Sequence, residues 1–180
     1  TRYPDSPHEL TVAAVATPLG EMLAVFGSEG LCLLEFVGQK HMEQEIMAVQ
    51  KALHGQFIFQ ENEQTQLLRQ ELDLYFQGRL KVFATPLETI GTAFQQQVWD
   101  ALLTIPYGET RSYKEQAQQL GNPKAIRAVA AANGQNKVSI LIPCHRVIGS
   151  DGKLTGYAGG LNRKQSLLAL ERGEVQTTLF

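Results

Sequence analysis

A cysteine and a histidine stand side by side at Cys144-His145, directly after Pro143 and inside the apolar run 140–148. A thiol attacks other groups only as the thiolate, and a neighbouring base or cation is what lowers its pKa. Free cysteine is also among the most buried residue types, so a structural cysteine beside an unrelated histidine is the alternative. The pair predicts nucleophilic chemistry only if the rest of the sequence supports it.

The remaining cysteine and histidines do not suggest a metal site. The chain has two cysteines and four histidines, and none has the spacing of a structural zinc site. Cys32 lies in the strand-like run Leu31-Cys-Leu-Leu, where packing is the simpler role. We therefore expect no metal and no disulfide, and a reducing cytosol is the compartment that fits.

Charge is distributed unevenly along the 180 residues. The net charge is only −2, but residues 1–110 carry 6 Lys/Arg against 14 Asp/Glu, whereas residues 111–180 carry 10 against 4. Such asymmetry indicates either a polyanion-binding surface in the second part or two differently solvated surfaces. No apolar stretch approaches the roughly 20 residues that cross a bilayer, so no membrane association is expected.

The start of the chain is polar and proline-rich and lacks the apolar core of a signal peptide. It reads as a linker. The absence of an initiator Met indicates either a fragment of a longer chain, tethered to a missing N-terminal domain, or removal of the Met by processing.

Apolar alternation and turn residues predict three short strands in an antiparallel sheet at Leu10–Ala16, Met22–Phe26 and Leu31–Val37. Helical spacing of apolar residues then predicts helices at His41–His54 and Glu63–Gln77, followed by a connector at Lys81–Thr89. No constellation in this part suggests catalysis.

Helices dominate the second part. A helix is expected near Thr92–Thr104, and the segments Ser112–Leu120 and Pro123–Ala132 flank a break at Gly121-Asn122, with Pro123 in the first turn of the second helix. Two short helices around a glycine-containing turn are helix-turn-helix geometry. The second helix is alanine-rich, with Lys124 and Arg127 as its charges, which suits close approach to a DNA groove.

A final helix is predicted at Asn162–Glu171, with Asn162 as its N-cap. Glu171 falls in its last turn, where a carboxylate gains nothing from the helix dipole. It is either simply solvated or it faces His145 and orients the imidazole, as the acid of a Cys/His/acid triad does.

These elements predict an α+β fold. We divide the chain into a linker at 1–8, a small N-terminal α/β domain at 9–88 with a three-stranded antiparallel sheet, a mostly helical DNA-binding domain at 89–175 and a tail at 176–180. The second domain carries the helix-turn-helix, is winged-helix-like and contains Cys144.

The motifs of the second part resemble those of the O6-alkylguanine-DNA alkyltransferases, and within that family the C-terminal domain of the bacterial Ada adaptive-response protein. The likeness covers essentially all of residues 92–172. It is carried by Ile140-Leu-Ile-Pro-Cys-His-Arg-Val-Ile, Ile105-Pro-Tyr-Gly-Glu, Ser112-Tyr113, Gly121-Asn-Pro-Lys, Arg127-Ala-Val, Asn136, Gly156-Tyr157 and Gly159-Gly-Leu.

The resemblance implies irreversible transfer of an alkyl group from guanine O6 in DNA to a cysteine of the protein. Cys144 would be the nucleophile, His145 would take its proton, Glu171 would hold the imidazole and Asn136 would brace the cysteine segment. Since consecutive residues of a strand face opposite ways, we expect a water between Cys144 and His145. Without the family, Asn136 would read as an ordinary turn residue.

The resemblance also implies that the target nucleotide swings out of the duplex from the minor-groove side. Arg127 would fill the vacated space and Tyr113 would displace the 3′ phosphate. Lys124, Ala125 and Ala128 would complete the DNA contact. Tyr157, Val147 and Gly159 are assigned to the substrate pocket, with Tyr157 donating to O6.

By the same resemblance the partner is double-stranded DNA carrying O6-alkylguanine, with O4-alkylthymine as a second substrate. The protein is expected to be a cytoplasmic, DNA-associated bacterial monomer that reacts once, needing no cofactor because the DNA is the alkyl donor.

Some positions depart from the family pattern. Ala158 stands where some relatives carry a serine that donates to O6, and Asn133, Lys137 and Ser139 replace bulkier or prolyl residues near the pocket. These changes leave the range of alkyl groups open. Three competing functions remain to be weighed: a damage-flagging binding module, which lacks the cysteine, a transcription regulator, and a Cys-His hydrolase, which needs an oxyanion hole.

Overall fold

Three strands at the start of the chain pair side by side as the antiparallel meander that the turn residues predict. The structure is a computed structural model and describes residues 8–174, so the expected tail and all but one residue of the expected linker lie outside it. The strands are β1 (His8–Thr17), β2 (Gly20–Phe26) and β3 (Leu31–Phe36). His8 begins β1 instead of ending the linker, because its N–H donates to His54 O at 2.9 Å.

The sheet has four strands, which corrects the prediction of three. β4 (Gly55–Phe59) pairs in parallel with β1, giving the order β3-β2-β1-β4. A side chain at Gly55 would collide with Leu10, since a Cβ there would lie 2.2 Å from Leu10 Cδ1. The sequence analysis did not predict β4, because its residues do not alternate between apolar and polar.

Two helices of this part lie close to where apolar spacing predicts them. They are α1 (Met42–Leu53) and α2 (Glu63–Phe76). α2 begins at a capping box in which the Asn62 side chain accepts from Thr65 N while the Thr65 hydroxyl accepts from Asn62 N. The predicted connector at residues 81–89 contains no helix.

The helix-turn-helix is present, but its second helix starts later than expected. α3 (Ala93–Leu103) precedes it, and the pair consists of α4 (Tyr113–Gln119) and α5 (Ile126–Gly134), which pack together. Pro123 and Lys124 lie in a turn closed by a bond from Ala125 N to Asn122 O of 3.0 Å. This turn replaces the first helical turn, so Ala125 becomes the N-cap.

Cys144 does not lie in a strand. Cys144–Arg146 form one turn of 3₁₀ helix, and only Val147–Ile148 continue as the short strand β6, which pairs in parallel with β5 (Arg111–Ser112). Arg146 N donates to Pro143 O at 3.0 Å, which closes this tight turn. The expectation of strand-like alternation between Cys144 and His145 was wrong.

The last helix, α6 (Leu161–Glu171), begins after Gly160, not at an Asn162 cap. Gly160 has φ of 97°, a conformation that favours glycine, and Asn162 already lies inside the first turn, where its C=O accepts from Ser166 Oγ. Glu171 is the last residue of α6 and is buried.

One apolar core joins the sheet to the helices. Its buried residues come from both parts of the chain, including Phe36 on β3, Tyr75 on α2 and Ile142 before the 3₁₀ turn. Residues 137–139 dock beside β3, because Leu34 N donates to Lys137 O and Ser139 N donates to Leu34 O. Among residues 8–174, no helix has the length and apolarity that crossing a bilayer demands.

Candidate active site

A cleft of about 940 Å³ opens between α5, the start of α1 and the loop at residues 155–158, and Cys144 lies on its lining. Several residues that the sequence singles out share this lining. They are Tyr113, Arg127, Asn136, Cys144 and Tyr157, together with the departing positions Asn133, Lys137, Ser139 and Ala158. Five of the twelve site residues that the sequence predicts therefore share one opening.

The Cys144 thiol is held back from ionisation by its surroundings. The residue is half-buried, and burial raises its pKa to about 11, although a hydrogen bond from Asn136 Nδ2 to Sγ at 3.4 Å acts in the opposite direction. The thiol is thus protonated near neutral pH, and it needs a base before it can act as a nucleophile.

Asn136 connects the cysteine to the backbone around it. Its Nδ2 also donates to Ile142 O at 2.9 Å, and its Oδ1 accepts from Val138 N at 2.9 Å. The side chain is buried, so these bonds fix the loop that leads into Cys144. The geometry fits the bracing role that the resemblance implies.

His145 is fully buried behind Cys144, with Nε2 2.7 Å from Glu171 Oε2. Burial lowers the pKa of the imidazole, and the Arg146 and Lys164 charges act in the same direction, while Glu171 opposes them. The ring is therefore neutral, and Nε2 carries the proton that it donates to the carboxylate. Nδ1 has no hydrogen-bond partner among the described residues, so its lone pair can accept a proton.

Glu171 is a buried carboxylate kept ionised by a cation. Burial by itself would raise its pKa, but the hydrogen bonds from His145 and Arg146 together with the Arg146 charge outweigh burial and hold the pKa well below the usual range. Since the imidazole is neutral, Arg146 supplies the charge, with Nε 2.7 Å from Oε1 and Nη2 3.1 Å from Oε2. Tyr75 Oη donates to Oε2 at 2.5 Å.

Two of these partners were missed from the sequence. Arg146 stands inside the quoted run but received no role, and Tyr75 falls within the predicted helix Glu63–Gln77 without a role. A charged residue next to a candidate histidine is a usable signal for Arg146. Nothing local marks Tyr75, because its contact with Glu171 joins residues 96 positions apart.

The predicted DNA-contacting residues divide into two groups. Arg127 is exposed on α5 at the cleft, and Tyr113 Oη donates to Thr155 O at 3.2 Å across the opening. Lys124, Ala125 and Ala128 do not line the cleft. Lys124 and Ala128 are exposed beside it, so they face whatever approaches the outer surface of the helix-turn-helix.

The predicted substrate pocket is only partly assembled. Tyr157 lines the cleft, and its buried hydroxyl has no hydrogen-bond partner of normal geometry in the described part of the chain, although Ser139 is near. Val147 is buried and pairs with Arg111. Gly159 lies under the Tyr157 ring, where a Cβ would approach Tyr157 Cε1 to 2.9 Å. Neither Val147 nor Gly159 lines the opening itself.

Lys164 is a further buried cation near the site that the sequence analysis overlooked. It lies on α6, its Nζ donates to Thr155 O at 2.8 Å, and burial lowers its pKa to about 8 against the opposing pull of Cys144. Within residues 8–174, no group of three or more His, Cys, Asp or Glu side chains is arranged to hold a metal ion.

The chain is similar to known proteins over both of its parts. Residues 93–173 match the family model of the 6-O-methylguanine DNA methyltransferase DNA binding domain. A methylated-DNA–protein-cysteine methyltransferase of Methanosarcina barkeri is 45% identical over 163 residues, which cover 90% of this chain and 97% of that protein.

The mycobacterial relatives match a shorter segment. The methyltransferase of Mycobacterium leprae is 61% identical over 109 residues, which cover 61% of this chain and 66% of that protein. The crystal structure of Mycobacterium tuberculosis OGT in complex with DNA superposes with a TM-score of 0.78 at 41% identity, covering 92% of this chain and 93% of that one. The likeness to the C-terminal domain of Ada stays a prediction.

Proposed function

The chain belongs to the methylated-DNA–protein-cysteine methyltransferase family, and we propose that Cys144 is the cysteine that accepts the alkyl group. The family's reaction is DNA repair by direct transfer of an alkyl group from DNA to the protein, so DNA is both the partner and the donor. The observation that carries the proposal is the position of Cys144 on the cleft lining, directly before a neutral, buried His145.

The other cysteine is a poor candidate for the acceptor. Cys32 is fully buried in β3, and burial, reinforced by Glu88, raises its pKa to about 12. Its Sγ contacts Gly30 O. Cys32 also packs with Leu33 and Val49 in a second, smaller cluster of buried apolar residues. A DNA base could reach Cys32 only by opening the sheet.

Activation of Cys144 follows from the proton positions. We propose that His145 Nδ1 takes the thiol proton through a bridging water and that Glu171 stabilises the imidazolium that forms. The thiolate sulfur attacks the alkyl carbon, the S–C bond forms and the C–O6 bond breaks. We infer one reaction per chain, because the thioether that forms is a stable product.

Delivery of the alkylated base to this cleft requires the nucleotide to leave the duplex, since the reacting atom is otherwise stacked. Arg127, exposed beside the cleft, is placed to fill the vacated space, and Tyr113 stands at the opposite rim near Thr155. The small exposed side chain of Ala128 suits a narrow minor groove, with Lys124 as a phosphate contact.

We propose a cytoplasmic monomer acting on DNA with O6-alkylguanine and, second, O4-alkylthymine; the two unpaired cysteines suit a reducing compartment. A division near residue 89 into two domains is supported by the start of the matched DNA-binding region at residue 93, although the apolar core is continuous across it.

The stoichiometry of transfer tests the proposal. The protein is incubated with a molar excess of duplex carrying radiolabelled O6-methylguanine, and label on protein is counted over time. We expect a plateau at about one methyl per chain. Label that remains on the DNA, as for a binding module, or release of label with continued turnover would contradict the proposal.

Replacement of Arg127 tests nucleotide flipping. Arg127→Ala should slow repair of duplex DNA far more than it slows reaction with free O6-alkylguanine base, since the free base needs no flipping. The free-base reaction is the internal control. Equal losses on the two substrates would assign Arg127 to folding.

A further inference from the structure

An exposed apolar side chain stands on the lining of the cleft, beside Arg127. It belongs to Ile126, the first residue of α5, which is 38% exposed. Seven other large hydrophobic residues are exposed within residues 8–174, and none of them lines this opening. Ile126 is therefore a large apolar projection on the surface that the proposed function assigns to DNA.

Packing does not explain an isoleucine at this position. In the described part of the chain, Ile126 belongs to neither of the two clusters of buried apolar residues, whereas Val129, three residues further along α5, is fully buried in the larger one. Helix formation does not explain it either, since a β-branched residue has a lower helix propensity than alanine. The fold would accept alanine here, as it does at Ala130 and Ala131 of the same helix.

Ile126 and Arg127 are the two exposed residues of α5 whose side chains are longer than that of alanine. Residues three and four positions apart form one row along a helix, so the row that begins at Ile126 continues through Ala130. The row that begins at Arg127 continues through Ala131 to Gly134, and all of these residues line the cleft. The rest of this helix surface is low, so the two long side chains enter the groove of a DNA duplex that approaches α5.

These two side chains differ in what they can bind. The Arg127 guanidinium is charged and donates hydrogen bonds, so phosphate oxygens and the edges of bases are suitable partners. The Ile126 side chain has neither a donor nor an acceptor, and contact with a phosphate would give it no favourable interaction. Its favourable contacts in DNA are sugar carbons and the faces of bases, and the faces become accessible where neighbouring base pairs separate.

We propose that Ile126 is an apolar wedge that enters the minor groove beside Arg127 and packs against the base pair next to the vacated position. Apolar side chains that are inserted between base steps from the minor groove partly unstack them and bend the duplex. Ile126 covers the exposed face of the neighbouring base pair, while Arg127 occupies the space that the nucleotide has left.

The inference rests on the proposed function, in which the alkylated nucleotide leaves the duplex, and it adds a second residue to that step. Ile126 does not take part in the reaction at Cys144. Its contribution is to keep the gap in the duplex open while the nucleotide lies in the cleft. Loss of the wedge should therefore affect only substrates in which a base must leave a stack.

The test compares duplex DNA with free base in an Ile126→Ala variant. We expect the single-turnover rate of transfer from a duplex with O6-methylguanine to fall about 10-fold, because the variant loses most of the apolar area that the wedge buries. The rate with free O6-alkylguanine base should stay at the wild-type value. Leu103→Ala is the matched control, since Leu103 is 47% exposed at the end of α3 and does not line the cleft. It should follow the wild type on both substrates.

Two further measurements separate the wedge from a structural role. Ile126→Leu keeps an apolar side chain of similar volume, so its rate on the duplex should lie within about twofold of the wild type. Ile126→Ala should unfold at the same urea concentration as the wild type or at a higher one.

An unchanged duplex rate in Ile126→Ala, equal slowing on duplex and free base, or a slow Ile126→Leu variant would overturn the inference. So would a clear loss of stability in Ile126→Ala, because Ile126 would then serve packing. A wild type that never becomes labelled would contradict the proposed function, on which the inference rests.

Discussion

Glu171 and Glu35 are both buried carboxyl groups, and their surroundings shift their pKa values in opposite directions. Glu171, at the end of α6, is paired with Arg146 and accepts from Tyr75, and its pKa lies below the usual range. The carboxyl pair of Glu35 and Glu45 has no arginine at hydrogen-bond distance among residues 8–174, and the pKa of Glu35 lies well above that range.

The difference shows that burial alone does not decide the state of a carboxyl group. Both sites are buried, but only one has a guanidinium within hydrogen-bond distance. Environments that push the pKa values of like groups apart are a means of assigning acid and base roles. Here Glu171 is hydrogen-bonded to His145, whereas Glu35 accepts a hydrogen bond from Ser139.

Removal of the cation should have the largest effect. Arg146→Ala leaves Glu171 as a buried charge with no cation at hydrogen-bond distance, which should lower the free energy of unfolding by about 3–5 kcal/mol. Urea unfolding measures it. Arg172→Ala is the matched control, since Arg172 is exposed and its pair with Glu174 spans 3.4 Å. Similar, small losses in both variants would show that Glu171 is not kept ionised by Arg146.

Replacing Glu171 with glutamine should slow alkyl transfer to Cys144 more than it lowers the stability of the fold. Glu171→Gln can present an N–H to His145 Nε2, which favours the tautomer with the proton on Nδ1 and removes the base. We expect the rate of transfer to Cys144 to fall about 100-fold, within the usual range for general base catalysis. Single-turnover labelling measures this rate. An unchanged rate would exclude His145 as the base.

Replacing Glu35 with glutamine should change the free energy of unfolding in a pH-dependent way. Folded Glu35 keeps a proton that the unfolded chain releases above the ordinary pKa of 4.5, so its contribution is fully present below that value and is lost as pH rises through the raised folded pKa. Glu35→Gln should therefore gain stability relative to the wild type as pH rises from acid to alkaline values.

Chemical unfolding of both proteins across pH checks this gain, with Glu43→Gln as the exposed control. The opposite slope, in which the wild type gains stability as pH rises through this window, would mean that Glu35 is ionised in the fold. Glu35 and Glu171 would then both be ionised.

The smallest effect is expected from loss of the hydrogen bond that Gln39 donates to Glu35. Gln39→Ala removes one donor to Glu35 and leaves Ser139 as the other, so the stability loss should be about 0.5–1.5 kcal/mol. The pH at which stability falls should also move upward, since the ionised form loses a donor. Unfolding midpoints across pH measure both, and a downward move would contradict the assignment.

The sequence predicted a role for Glu171 but none for Glu35. Cys144, His145 and Glu171 followed from family motifs, and the structure brings His145 and Glu171 to 2.7 Å. Glu35 looked like an ordinary charged residue at a strand end, because its partners Ser139 and Glu45 lie on other elements. Contacts between residues distant in sequence leave no trace in local periodicity.

Local signals also explain which elements were found. Apolar spacing predicted helices at Glu63–Gln77 and near Thr92–Thr104, and the structure begins them at Glu63 and Ala93. Pro123 marked a helix start that a turn displaced to Ile126, and β4 was missed because its pairing with β1 depends on the position of the whole sheet. The 3₁₀ turn at Cys144 is equally invisible, since an apolar run reads as a strand.

The site of methylation tests the central claim most directly. The wild type, Cys144→Ala and the control Cys32→Ala are each reacted with a duplex containing O6-methylguanine, digested and mapped by mass spectrometry. We predict the added mass of one CH₂ on the peptide that contains Cys144 in the wild type and in Cys32→Ala, and no added mass in Cys144→Ala. A methyl group on Cys32, or a Cys144→Ala variant that still accepts one, would contradict the account.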